Sequence, residues 1–222
     1  MDYVYICREG DNEELRYSIR SVVANATHDK IWVIGYKPDW YIGNYIQIDN
    51  IGSKFENITN CHKILPDIGA LSEDFVIMND DFFILKPLGK MPTFSDGTLT
   101  DKIEKNMISA GLSKYVRALI TAKKRLHKLG ITDPINYDLH TPMVFNKALL
   151  ASVDDLTLSP RSLYGNLFKI DSIMIDDVKI HKKGSPFDID ESHFISTEDD
   201  SFYLIKDKLK QLFPNKTIYE KE

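Results

Sequence analysis

Long apolar runs are missing from this 222-residue chain: the first thirty residues carry charges from Asp2 onward and contain no apolar stretch of leader length, and no later run is long enough to cross a bilayer. This predicts a soluble, cytoplasmic protein without a membrane span. Cysteine is almost absent. Cys7 and Cys61 stand alone, without the short spacing that holds zinc and without the numbers a disulfide framework needs, so both are expected to be reduced core residues. No Gly, Ser or Pro tract and no internal repeat of 20–50 residues interrupts the sequence, which excludes solenoids and flexible linkers.

What the chain does have is enough apolar material for a core. Hydrophobic residues make up 43% and aromatics 11%, and a chain of this length buries roughly 70% of the surface its unfolded form exposes. One domain spanning residues 1–222 is expected, with residues 1–90 as one half and 91–222 as the other. The net charge of −5 conceals an asymmetry. Residues 102–128 hold eight basic side chains, among them Arg117, Lys124 and Arg125, against the single acid Glu104, a local charge of +7 that leaves −12 for the rest. Such a segment either faces a polyanion or is an ordinary solvated helix face.

Short β-branched and aromatic runs at Tyr3–Cys7, Ile31–Gly35, Tyr45–Ile48 and Phe75–Met78 predict buried strands. Between them, apolar residues at helical spacing (Leu15, Ile19, Val22, Ala26, then Ile58, Cys61, Leu65) predict helices, the first capped at Asp11 or Asn12. The alternation predicts an α/β fold: a Rossmann-like, mostly parallel sheet flanked by helices, with a helical insertion at 102–129 broken near Gly111 and a C-terminal extension. Later elements are a short helix at Lys147–Val153, a strand at Ser172–Ile175 and a closing amphipathic helix at Ser201–Phe213.

In open parallel sheets, ligands bind beyond the carboxyl ends of the strands. Asn79-Asp80-Asp81 follows the fourth strand directly. Two adjacent carboxylates there are costly to desolvate unless a cation or strong hydrogen bonds compensate, so Asp80 and Asp81 are candidate ligands for Mn²⁺ or Mg²⁺; the alternative is a capped turn. The first strand also ends in polar residues, among which Arg8 and Asn12 could meet a phosphate. Arg20, four residues beyond Arg16 on the next helix, offers a guanidinium fork to phosphate or to a carboxylate. Trp32 and Trp40 read as core and loop anchors. His140, in the irregular segment Asp138-Leu139-His140-Thr141-Pro142, is the first choice for a general base, with Asp138 second. His181 and His193 flank a Lys182-Lys183-Gly184-Pro186 loop that could close over phosphates, and His193 is the candidate to complete a metal shell.

The segments Asp11-Asn12-Glu13-Glu14-Leu15-Arg16-Tyr17-Ser18-Ile19-Arg20-Ser21 and Leu71-Ser72-Glu73-Asp74-Phe75-Val76-Ile77-Met78-Asn79-Asp80-Asp81-Phe82-Phe83 resemble the Stealth family of sugar-phosphate transferases, whose "NELRYSLRS" and "NDD" segments they match. A weaker match recurs at His140-Thr141-Pro142. The resemblance implies an A-type glycosyltransferase core that binds a nucleoside-diphosphate sugar, and transfer of hexose-1-phosphate to a glycan. Arg161-Ser162-Leu163-Tyr164-Gly165-Asn166 and Phe194–Phe202 look like segments of small glycosyltransferase-like proteins of bacteriophages. That second likeness implies transfer of the sugar itself, to a glycan or to modified DNA, in a bacterial host's cytoplasm. A third reading, from the basic segment alone, is a non-catalytic nucleic-acid-binding module.

Overall fold

The computed structural model describes all residues except 49–53, 155, 157–158, 177, 186–187, 199 and 222, and the backbone alone at 54 and 55. Pro186 of the expected phosphate loop and Asp199 of the phage-like segment therefore lie outside the described residues.

Five strands form the central sheet in the order β3-β2-β1-β4-β7: β1 Asp2–Cys7, β2 Ile31–Gly35, β3 Asn44–Gln47, β4 Asp74–Met78 and β7 Met143–Asn146. All neighbours are parallel except β7, which runs antiparallel to β4 at the sheet edge. The nearly unbroken apolar runs of β1, β2 and β4 are explained by burial on both faces. Tyr3, Tyr5, Cys7, Val33, Val76 and Met78 point to one side, against Leu15, Ile19 and Val22 of α1 (Glu13–Asn25). Val4, Trp32, Ile34, Phe75 and Ile77 point to the other, against Cys61 of α2 (Lys54–Ile64) and Tyr164. Trp32 is a core anchor as expected, and its indole N–H donates to buried Asp2 at 2.9 Å.

β5 (Phe82–Ile84) follows β4 after a three-residue turn and leaves the main sheet. It pairs antiparallel with β10 (Phe194–Thr197), whose other neighbour is the parallel strand β9 (Lys179–Ile180). The free edge of β5 is met by α1: Ser18 donates to the Phe82 carbonyl at 2.6 Å, Ser21 accepts from the Ile84 N–H at 3.0 Å, and Asn25 donates to the Ile84 carbonyl at 2.7 Å. Spaced three and four apart on α1, these side chains fix where β5 starts and hence where Asp81 lies.

β6 (Phe94–Ser95) leads into α3 (Leu99–Ala110) and α4 (Lys114–Lys128), a helical hairpin that breaks at Gly111 as expected. Thr98 and Asp101 form a reciprocal capping box on α3, and Ser113 caps α4. After β7 come α5 (Lys147–Ala151) and α6 (Pro160–Leu167), then β8 (Ile173–Met174), which pairs with β6. The expected closing helix is instead a 3₁₀ turn at Phe202–Leu204 followed by α7 (Lys206–Leu212).

His62 of α2 is buried against Phe145, and its Nδ1 is bound to the Ile58 carbonyl at 2.8 Å. Burial, outweighing that hydrogen bond, lowers its pKa from 6.5 to about 4. The unfolded chain takes up this proton below pH 6.5, whereas the folded chain refuses it until about pH 4, so stability falls with pH across that window. The loss expected by pH 4 is roughly 3 kcal/mol. Urea melts of wild type and His62→Gln at pH 7 and pH 4.5 check this: the variant is expected to lose less on acidification.

Candidate active site

Because the chain runs outward from β1 through β2 to β3 and then returns to place β4 on the other flank of β1, the strand order switches between β1 and β4. The crevice at such a switch point is where open α/β sheets bind ligands. Both polar segments singled out in the sequence converge on it. Gly35 lets the end of β2 lie close against the end of β1, since a Cβ there would sit 2.6 Å from the Cys7 carbonyl oxygen on a backbone with φ of 101°. Asn12 adopts a left-handed conformation (φ 53°), and its amide donates to the carbonyls of Arg8 (3.1 Å) and Gly10 (2.8 Å), closing the loop from β1 into α1. Arg8 is exposed on this loop.

The β4–β5 turn continues the two-sided alternation of the strand. Asn79 faces the α6 side, where its side-chain oxygen accepts from Arg161 at 2.6 Å. Asp80 faces the α1 side, and after burial it is the main cause that pushes the Cys7 thiol up to about 12, so Cys7 stays protonated. Asp81 is about 14% exposed; its Oδ2 lies 3.6 Å from the Lys179 ammonium and 3.7 Å from His140 Nδ1, while its Oδ1 is buried without a hydrogen-bond partner among the described residues. Lys179 Nζ and His140 Nδ1 are 3.1 Å apart. His140 is about half exposed and open to an incoming molecule.

Arg161 organises this wall. Its guanidinium donates to the carbonyls of Leu139 (2.7 Å) and Thr141 as well as to Asn79, tying α6 to both the histidine segment and the β4–β5 turn. Burial lowers its pKa against the opposing pull of Asp138 and Asp81. Gly165, one turn further along α6, leaves room for the Tyr137 ring, which a Cβ would meet at 2.5 Å.

Several expected site residues are elsewhere. Asp138 is not presented to the crevice: its carboxylate accepts from the Ser159 and Ser162 hydroxyls at the start of α6, and desolvation, opposed by those hydroxyls and by Arg161, raises its pKa. Arg20 faces away from the switch point and donates bidentately to buried Glu220 at 2.8 and 2.7 Å, so the carboxylate alternative holds for its fork. His193 precedes β10 at the end paired with Leu85, whereas Asp81 lies at the other end, beside Thr197; four strand residues separate the two, roughly 13 Å. His193 therefore does not complete a shell at Asp81. His181 is bound to Glu198 at 3.0 Å. Arg16 lies over the Trp40 ring at 4.8 Å, which makes Trp40 a loop anchor. Arg117 and Lys124 are exposed on α4, and Arg125 is half-buried there. Lys179 is the residue that sequence reading misses. Its strand is two residues long and carries no periodic signal.

Among the described residues, no group of three or more His, Cys, Asp or Glu side chains is placed to share an ion. The donor set still fits Mg²⁺ or Mn²⁺. Such ions take one or two carboxylates and fill the remaining positions with water and substrate phosphate rather than with a protein cage, and Asp81 holds a buried oxygen that no described group satisfies.

No family model and no curated protein matches the sequence, so the likeness to the Stealth family rests on the quoted segments alone. Solved structures do match. The galactosyltransferase LgtC, solved in complex with donor and acceptor sugar analogs, superposes with a TM-score of 0.56 over 98% of this chain and 96% of its own, at 10% identity. An active-site mutant of LgtC gives a TM-score of 0.54 at 11% identity over the same shares. The fold is glycosyltransferase A-like. The apo-form glycosyltransferase GlyE of Streptococcus pneumoniae TIGR4 matches 96% of this chain and 50% of its own, with a TM-score of 0.39 and 11% identity.

Proposed function

We propose that this protein transfers a sugar from a nucleoside-diphosphate sugar to an acceptor hydroxyl, with the donor's diphosphate at the switch point and Mn²⁺ or Mg²⁺ held by Asp80 and Asp81. The observation that carries the reading is the buried, unpartnered Asp81 Oδ1, on the residue that follows Asp80 in sequence, at a strand-order switch. Charge balance supports it. Asp80 and Asp81 oppose a diphosphate, Lys179 is drawn to Asp81, and Arg161 is shared between Asp138 and Asp81, so little positive charge is left over for phosphate. A bound divalent cation supplies the missing positive charge and stabilises what develops on the leaving diphosphate.

The chain's own groups do the rest. Arg8, on the β1–α1 loop, is placed to meet a phosphate oxygen, and Asn12 holds that loop in shape. Lys179 puts a fixed ammonium beside Asp81, where departing phosphate oxygens gain charge. Because an ammonium offers only hydrogens, its contact at 3.1 Å means that His140 Nδ1 holds the lone pair. The acceptor's oxygen attacks the anomeric carbon, its proton passes to Nδ1 once the donor's phosphate has drawn the Lys179 ammonium off that lone pair, and the nucleoside diphosphate leaves with the electron pair of the broken bond. The imidazolium so formed lies 3.7 Å from Asp81 Oδ2, which stabilises it. Arg161 positions Asn79 and the His140 segment without touching the reacting atoms.

The test is product analysis after incubation with a panel of nucleotide sugars and Mn²⁺. Free nucleoside diphosphate is the expected product; nucleoside monophosphate would reassign the chain to hexose-1-phosphate transfer, and neither product from any donor would overturn both. A thermal-shift panel run alongside should show a nucleotide sugar raising Tm only when the metal is present, since a ligand at a hundred times its Kd adds about 2.7 kcal/mol to the native state.

A further inference from the structure

The buried face of α4 is fully explained: Val116, Leu119, Ala122 and Leu126 are buried, and Leu119 and Leu126 pack with Leu99 and Leu163. The opposite face is exposed and basic. Lys114, Arg117, Thr121, Lys124 and Lys128 recur at spacings of three and four residues and form a single cationic stripe about 22 Å long. At the hairpin tip, where this stripe begins, three large aliphatic side chains stand in solvent: Ile108 is 89% exposed, Leu112 47% and Met107 42%. The acids of the hairpin lie away from the tip. Asp101 is held in the α3 capping box, and Glu104 lies about 9 Å along the axis from the end of α3.

We infer that the α3–α4 hairpin docks on an anionic lipid surface, with the aliphatic tip entering the headgroup layer and the α4 stripe lying along it. A basic stripe alone would suit a nucleic acid equally well; the tip decides. Phosphate-backbone binding gives no reason to hold Ile108, Leu112 and Met107 in water, whereas aliphatic groups beside lysines and arginines are what an interfacial helix presents to anionic lipid. Charge also fixes the orientation. The protein is −5 overall and +7 over residues 102–128, so an anionic surface repels the rest of the molecule and attracts this hairpin.

Docking there puts the candidate site close to the membrane. Tyr115, the second residue of α4, reaches with its hydroxyl to the Asp138 carbonyl at 3.5 Å, two residues before His140. Resting on the transfer reading above, this makes the acceptor a membrane-borne, lipid-linked molecule whose hydroxyl is offered to His140 at the surface.

Co-sedimentation of the full chain with vesicles, without donor or metal, tests the docking independently of catalysis. Vesicles of phosphatidylcholine with 30% phosphatidylglycerol (about that fraction gives a strong surface charge) should bind the protein at low salt and release it at high salt, and pure phosphatidylcholine should bind at least about tenfold less. Ile108→Glu with Met107→Glu, and separately Lys114→Glu with Lys128→Glu, should each cut binding about tenfold while Tm stays unchanged. Equal binding to neutral and anionic vesicles, or none to either, would overturn the proposal. So would binding of duplex DNA at concentrations where anionic vesicles bind nothing, which would assign the stripe to nucleic acid. Absence of vesicle binding with donor turnover intact sinks the docking alone, and vesicle binding without turnover sinks the transfer reading alone.

Discussion

Asp81→Asn is expected to lower turnover on the order of 100-fold or more while leaving the fold intact, because it removes charge from the reacting site without changing the side chain's shape. Both of its effects can be derived from the contacts. Oδ2 faces Lys179 and His140, so an amide there no longer stabilises a protonated imidazole and no longer holds the ammonium in register. Oδ1 has no hydrogen-bond partner among the described residues, so no intramolecular bond is lost at that atom, and relief of the carboxylate's desolvation offsets the lost attraction to Lys179 and Arg161, leaving Tm close to that of the wild type. Asp80→Asn is expected to lower turnover similarly, and in both variants the Mn²⁺-dependent increase in Tm with nucleotide sugar should shrink. Full activity in either variant would remove the metal proposal. The measurement pairs initial rates with thermal melts on the same preparations, which separates a lost site from a lost fold.

How much of this is legible in the sequence depends on how far each feature depends on its neighbours. β1, β2 and β4 announce themselves because strands buried on both faces need uninterrupted apolar runs, and the polar residues that end β1 and β4 mark the crevice for the same reason. The antiparallel direction of β7 leaves no such mark, since Met143–Asn146 reads the same in either direction. β5, β9 and β10 are two to four residues long and are stabilised by pairing with one another and by α1 hydroxyls, which no local pattern encodes. Nothing local therefore marks Lys179 as a neighbour of Asp81, or shows that His193 stands at the far end of β10. Asp138 and His140 are two residues apart in an irregular segment. Only the packing of α6 shows that one is turned inward to hydroxyls and the other outward to the crevice.

Arg20 gives the clearest case of a pattern whose chemistry the sequence conveys and whose partner it does not. A guanidinium fork on α1 is expected to find paired oxygens, and it finds those of Glu220, two hundred residues away, along with the Phe213 carbonyl at 3.0 Å. Both side chains are buried, and although burial pushes Glu220 upward, Arg20, the Thr217 N–H and Arg16 together hold its pKa below the ordinary carboxylate range. Arg20→Met leaves that carboxylate buried with its main partner gone, which is expected to cost about 3–5 kcal/mol. For a chain of this size that is a fall in Tm of roughly 6–20 °C. Arg20→Met combined with Glu220→Met should recover most of the loss, because two apolar side chains of similar length replace the pair without stranding either charge. Urea melts of the two single variants and the double variant measure the coupling. Donor KM at a temperature where all remain folded measures the competing role: a phosphate-binding Arg20 would raise KM with stability nearly unchanged, whereas an anchor for the C-terminal segment lowers stability and leaves KM where it was.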